Sequence, residues 1–215
     1  MRSIWLVRHG NRLDFVQPQW FNEAVRRYDP PLCPLGDRQA QELGLRLRGE
    51  PIDHIFVSPF VRALQTAQHV AESLGLPLRV ESGLGEWHNS DWMTAAPITH
   101  PWADCLKDFP QIDPDYLSVA SPVYPENRAQ MLERAAQTIL AISRQYSGNL
   151  LFVGHKDPLS GCFAALLEGR EASPVFEVCA VTQLVLSGDR WQCTVRNETS
   201  HLSQPGIRVA PKHLC

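Results

Sequence analysis

Short apolar runs recur along the chain, and each one stops at polar or glycine residues. Ile4-Trp5-Leu6-Val7 ends at Arg8-His9-Gly10, Ile52 to Val57 ends at Ser58-Pro59, and Leu150-Leu151-Phe152-Val153 ends at Gly154-His155. Continuous runs of this length predict strands covered on both faces. Between them the spacing becomes helical. Ala40, Leu43 and Leu47 share one face after Gly36, and Leu64, Ala67, Ala71 and Leu74 share another. Ser58-Pro59 supplies an N-cap and a first-turn proline for the second of these helices. A third helix is predicted from Asn127 to Tyr146, with Leu132, Ala135, Ala136 and Ile139 inward. Asp157-Pro158 repeats the cap signal and opens a fourth, through Leu167. Val178–Leu186 and Trp191–Val195 flank Ser187-Gly188-Asp189 and read as an edge hairpin. Strands alternating with helices predict an α/β fold, a three-layer α/β/α sandwich whose sheet is mainly parallel with an antiparallel edge. A single domain across residues 1–215 is expected.

Two stretches break that rhythm. Residues 11–35 and 87–125 are rich in proline and aromatic residues, the second carrying Trp87, Trp92 and Trp102. Long irregular segments in a compact domain usually serve as lids or binding loops. The tail from about residue 201 is polar, carries two prolines and reads as partly disordered.

Composition narrows the class. With 215 residues, 44% of them hydrophobic, the chain can bury a core that needs no disulfide or metal staple. A net charge of −3 argues against nucleic acid as a partner. An anionic substrate would have to be attracted by a local arginine cluster. The six cysteines are scattered and form no CxxC pair, so no metal site is expected from them. The N-terminus lacks a secretory pattern and no apolar run reaches membrane length, so a cytoplasmic protein without a membrane partner is expected. Oligomeric state is open, a homodimer included.

In open α/β sheets ligands bind beyond the carboxyl ends of the strands. Arg8-His9, Ser58 with Arg62, and Gly154-His155 should therefore meet at one place. Two imidazoles with two or three guanidiniums suit a phosphate dianion, because arginine forks satisfy its oxygens in pairs. Four collinear blocks then resemble the histidine phosphatase superfamily, which includes the phosphoglycerate mutases. They are Arg8-His9-Gly10 after a strand, Ser58-Pro59-x-x-Arg62-Ala63-x-Gln65-Thr66-Ala67, Glu86 within Leu84-Gly85-Glu86-Trp87, and Gly154-His155. Together they span residue 4 to about residue 187.

The resemblance implies a phosphomonoester hydrolase without cofactor or metal, acting on a phosphorylated substrate through a phosphohistidine on His9. Arg8 and Arg62 would bind the phosphoryl oxygens, His155 would donate to them, and Glu86 would protonate the leaving oxygen. Asn11 stands where the family often has a polar side chain near phosphate. A bound phosphate ~5 Å from Glu86 would repel its carboxylate by roughly 3 kcal/mol at an effective dielectric of ~20, favouring the protonated form. His54, His69, His88 and His100 read as ordinary surface or core histidines, His88 lying nearest to Glu86.

The mutases continue Arg-His-Gly with a Ser-x-Trp-Asn pattern, whereas this chain reads Asn11-Arg12-Leu13-Asp14. Arg12, with Asp14 two residues on, looks like the phosphatase subgroup of T-cell signalling suppressors and insect ecdysteroid-phosphate phosphatases. It would serve as a further phosphate clamp, the alternative being an exposed ion pair. Tyr28-Asp29-Pro30-Pro31-Leu32 also looks like phosphatase members, but Cys33 stands where a threonine is common. A mutase and a non-catalytic phospho-ligand binding protein are the alternative readings. Which phosphorylated molecule is the substrate is not legible.

Overall fold

Successive side chains of a strand point to opposite faces, and this alternation builds both layers of the core. In β1 (Ser3–Arg8), Trp5 and Val7 face one side while Ile4 and Leu6 face the other. The same division runs through β2 (His54–Val57) and β4 (Leu150–Gly154), where Ile55, Val57, Leu151 and Val153 oppose Phe56, Leu150 and Phe152. The first set packs on Ala40, Leu43 and Leu47 of α3 (Pro34–Leu47) and on Leu64 and Ala67 of α4 (Val61–Leu74). The second packs on Ala135 and Ile139 of α6 (Arg128–Gln145) and on Leu159 and Phe163 of α7 (Lys156–Leu166).

The computed structural model describes residues 2–209. With β3 (Leu78–Val80), β5 (Val181–Ser187) and β6 (Arg190–Glu198), the strands form one six-stranded sheet in the order β3-β2-β4-β1-β5-β6. The first four of that order are parallel; β5 runs antiparallel to β1, and β6 antiparallel to β5. This is the expected three-layer α/β/α arrangement with an antiparallel edge.

Several local expectations are corrected. The strand expected from Ile52 begins at His54, although Ile52 is buried. β3 had no counterpart in the pattern, being only three residues with Arg79 at its centre. The buried face of α6 includes Met131, Arg134 and Thr138, while Leu132 and Ala136 lie half-buried. A charged residue on that face breaks the apolar stripe that spacing alone would trace. Ser58 does not cap α4, which starts three residues later; the buried Asp29 carboxylate accepts from the N–H of Val61 at 2.8 Å instead. Asp157 is likewise not a cap, because α7 starts at Lys156 with His155 at the N-cap position. Cys33 gains an account here. It is the N-cap of α3, its sulfur accepting from the N–H of Gly36 at 3.4 Å.

The two irregular segments contain the short helices α1 (Leu13–Val16), α2 (Trp20–Glu23) and α5 (Trp102–Asp108). The tail is ordered as far as it is described: Leu202 is buried, and Gln39 donates to the carbonyls of Gln204 and Gly206 at 2.9 and 3.1 Å. Residues 210–215, Cys215 included, lie outside the described residues. No helix among the described residues is long and apolar enough to cross a membrane.

The start of α3 touches the loop after β1 at backbone distance. A Cβ on Gly36 would fall 2.0 Å from the Asn11 carbonyl oxygen, and one on Gly10 would fall 2.5 Å from the Gly36 carbonyl oxygen. Both obstacles are main chain and cannot rotate away. Gly36→Ala is therefore expected to destabilise the protein by about 1–3 kcal/mol, the usual cost of overpacking, as measured by urea denaturation. An unchanged midpoint would show that the helix start can slide without loss.

Candidate active site

Parallel pairing sets the ends of three strands side by side. Arg8 is opposite Gly154 and Val57 is opposite Val153, so the residues that follow, His9, His155 and Ser58, emerge at one edge. Backbone bonds hold these exits, from His9 N–H to the Gly154 carbonyl (3.1 Å) and from Ser58 N–H to the Val153 carbonyl (3.0 Å). The first turn of α4 then delivers Arg62, and the 3-10 turn Ser82–Leu84 after β3 delivers Glu86. Four residues from four parts of the chain meet within hydrogen-bond range.

Arg62 is the centre of the group and is 1% exposed. Its Nε lies 3.4 Å from His9 Nε2, and its Nη2 lies 3.2 Å from Glu86 Oε2 and 3.3 Å from His155 Nδ1. The guanidinium stacks over Phe60, with 4.6 Å from Cζ to the ring centroid. Burial lowers its pKa to about 10, with nearby Arg12 adding to the effect, so it remains charged at neutral pH.

His9 Nδ1 lies 2.7 Å from the carbonyl of Gly10. Since a carbonyl only accepts, the ring hydrogen sits on Nδ1 and the lone pair is on Nε2. Burial, with the charges of Arg62, His155 and Arg8, holds His9 well below the usual histidine range. His155 Nε2 is 2.7 Å from the Ser58 hydroxyl, and its Nδ1 is 3.3 Å from Glu86 Oε2. Burial lowers His155 to about 4 against the opposing pull of Glu86. Burial alone would raise Glu86, but His155, Arg62 and Arg12 outweigh it and hold the carboxyl well below its usual range. Glu86 is thus ionised among these partners.

The remaining expected residues divide. Arg12 lines the cleft above Arg62 and Glu86, and it also pairs with Asp14 through two contacts of 2.9 and 2.5 Å. Arg8 is mostly buried, with one Nη1 bond to the Phe176 carbonyl (3.1 Å) and an Nε that has no partner. Asn11 is fully buried and turns its amide to Cys33 Sγ (3.4 Å) and the Arg208 carbonyl (3.1 Å). These bonds make it a brace for the loop instead of a lining residue. His88 is buried too, its ring packing against Phe60 and Tyr124. The irregular segments supply Phe21, Tyr28, Trp92 and Met93 to a cleft of about 220 Å³ over Arg62.

His9, Glu86 and His155 each offer an atom within 4.8 Å of the others, a set that could ligate a metal. Arg62 already contacts all three atoms. A fixed positive charge among the ligands opposes a divalent cation and favours an anion.

Three further residues brace the cluster through bonds that spacing does not reveal. Ser58 orients His155, and Asp29 stands 3.8 Å from Arg62 Nη1 while accepting from the N–H groups of Val61 and His100. The Thr66 hydroxyl accepts from Gly10 N–H (3.1 Å) and donates to the Arg62 carbonyl (2.8 Å), tying the His9 loop to α4. Ser58, Asp29 and Thr66 all lie inside the sequence blocks named above, so their position was visible even though their bonds were not.

The fold is thus an α/β domain that gathers His9, Arg62, Glu86 and His155 at the ends of its parallel strands. The model of the histidine phosphatase superfamily (branch 1) matches residues 4–199, and the chain belongs to that superfamily. Over 206 residues it is 29% identical to the ecdysteroid-phosphate phosphatase of Drosophila melanogaster, covering 78% of this chain and 27% of the relative. It is 31% identical over 206 residues to ubiquitin-associated and SH3 domain-containing protein A of Mus musculus, covering 77% and 33% respectively. The chain therefore spans about a quarter to a third of the length of these curated relatives. The crystal structure of the ecdysone phosphate phosphatase of Bombyx mori with tungstate superposes with a TM-score of 0.72 at 23% identity, covering 93% and 94% of the two chains. At that identity the likeness is one of fold.

The buried, neutral His155 makes stability depend on pH. Its folded pKa of about 4 lies below the ordinary 6.5, so the unfolded chain takes up the proton first as the pH falls. The stability gained from the neutral ring is present above about pH 6.5 and is lost progressively as the pH falls toward about 4. The His155 ring signals in NMR are expected to stay unshifted through pH 6.5 and to move only near pH 4. Titration at 6.5 would contradict the burial argument.

Proposed function

We propose that the chain is a metal-independent phosphomonoester hydrolase working through a phosphohistidine on His9. The observation that carries this reading is the unprotonated Nε2 of His9, aimed at the Arg62 guanidinium and fixed by the Nδ1 bond to Gly10. A neutral imidazole with its lone pair on Nε2 is in the protonation state that attack on phosphorus requires. Phosphoryl oxygens would replace Glu86 and His155 as partners of Arg62, with Arg8 and Arg12 adding charge around them. Phosphoryl transfer requires positioning and charge stabilisation above all, and these guanidiniums supply both.

His9 Nε2 forms a bond to phosphorus as the ester P–O bond breaks, and the leaving oxygen takes a proton from Glu86. Arrival of the phosphate dianion beside Glu86 is what raises that carboxyl enough to carry the proton. Water then attacks phosphorus, gives its proton to Glu86, and the N–P electron pair returns to His9. His155 donates from Nδ1 to the phosphoryl oxygens. The leaving group would lie against Phe21, Tyr28, Trp92 and Met93, a wall that favours a bulky apolar group over phosphoglycerate. The name of the fruit-fly relative agrees with such a substrate.

Quenching with phosphorus-labelled substrate should trap an acid-labile, base-stable phosphoenzyme that is absent from His9→Ala. Label recovered on serine or cysteine would overturn the assignment. Arg62→Ala should lower kcat/KM by about a hundredfold or more with the fold retained, as expected for a buried charge contact to the transition state. EDTA should leave activity intact; a lasting loss restored by a divalent ion would contradict the proposal.

A further inference from the structure

Arg134 lies on α6, outside the cluster around His9, and is almost wholly buried, with 7% of its side chain exposed. A guanidinium has five N–H groups, and here each one has an acceptor. Nε donates to Glu126 Oε2 at 3.0 Å, and Nη1 donates to the carbonyls of Gly83 (2.7 Å) and Gly85 (3.1 Å). Nη2 donates to the carbonyl of Glu86 itself (3.3 Å) and to Glu126 Oε1. Three of the five bonds therefore hold the main chain that carries Glu86.

The counterion grips the same segment from beyond Glu86. Glu126 Oε1 accepts from His88 N–H (3.1 Å), and the Glu126 N–H donates to the His88 carbonyl (3.1 Å). Trp87 Nε1 donates to the Glu126 carbonyl at 2.9 Å. Residues 83, 85, 86, 87 and 88 are thus bonded to one buried ion pair. The approach of α6 to this turn is close: a Cβ on Gly83 would stand 2.1 Å from Thr138 Oγ1, one helical turn beyond Arg134.

We infer that Arg134, with Glu126, is a positioning residue that holds the Glu86 carboxyl against the leaving oxygen. The inference rests on the reading of Glu86 as proton donor. Carbonyls at the end of a tight turn lack partners within it, and a turn left unbonded is free to shift. A displacement of about 1 Å in a reacting group can cost roughly a hundredfold in rate, even when its origin lies away from the chemistry. Lysine cannot replace the fork, since its three donors radiate from one nitrogen and cannot span three carbonyls and a carboxylate.

The test compares leaving groups. An alkoxide needs its proton in the transition state, whereas p-nitrophenolate leaves almost unaided. Pre-steady-state phosphorylation of His9 is measured with an alkyl phosphate and with p-nitrophenyl phosphate, for wild type, Glu86→Gln, Arg134→Lys and the double variant. Arg134→Lys is expected to slow the alkyl reaction about tenfold to a hundredfold and the nitrophenyl reaction only a few-fold. In the Glu86→Gln background the added substitution should leave the ratio of the two rates unchanged. Equal losses on both substrates for Arg134→Lys, with Glu86→Gln still selective, would reduce Arg134 to a packing role and overturn this inference alone. If Glu86→Gln were itself unselective, the proton-donor reading would fail and this inference with it. Should Arg134→Lys not fold, Glu126→Gln carries the same comparison, with the same selective loss expected and the same equal loss overturning.

Discussion

One buried positive charge organises this protein. Arg62 is 1% exposed, and a guanidinium so far from water needs partners on every side. Glu86 answers it from one direction, and Asp29 stands 3.8 Å away on another. The Tyr28 carbonyl accepts at 3.4 Å, and the Phe60 ring lies beneath the plane. Removing one member of a buried pair typically costs about 3–5 kcal/mol, because the other charge is left uncompensated. The segments bearing these partners are therefore held together by the same charge that would bind an anion.

Burial, with that charge beside it, also sets the protonation of the neighbours. Desolvation first, and Arg62 in addition, keep the His9 and His155 rings neutral, while His155, Arg62 and Arg12 keep Glu86 ionised despite its burial. Arg62 makes only long contacts to its neighbours: those to Glu86, His9 and His155 are 3.2–3.4 Å, against about 2.7–2.9 Å for an ideal charge-assisted bond. An incoming oxyanion with several oxygens can replace these long contacts with shorter ones.

Around this centre lies a second level of support. Ser58 sets the His155 ring, Thr66 joins the His9 loop to α4, Asp29 caps α4 from a distant loop, and Arg134 with Glu126 holds the Glu86 turn. Each ties residues far apart in the chain: Arg134 reaches back 51 residues to Gly83, and Ser58 reaches forward 97 residues to His155. Rigidity in the site follows from these long closures, since loops alone leave side chains too mobile for transfer chemistry.

The apolar strands, the mainly parallel sheet with its antiparallel edge, and the positions of His9, Arg62, Glu86 and His155 were legible in the sequence. Strands buried on both faces need unbroken apolar stretches, and ligands gather where such strands end, so position along the chain carries that information. β3 was not legible, because three residues with a central arginine resemble a loop until a neighbouring strand pairs with them. Ser58 and Asp157 showed the residue types of helix caps, yet the helix starts moved by a few residues, and Ser58 was claimed by a histidine instead. Arg134 gave no local signal at all. A charge on a helix is read as solvated unless its partners are known, and these partners, Glu126 and three carbonyls, lie on other elements. Residue type and spacing thus marked the groups that the fold brings together. Tertiary structure decided their protonation and their aim, because both depend on desolvation and on bonds between segments that have no fixed distance in sequence.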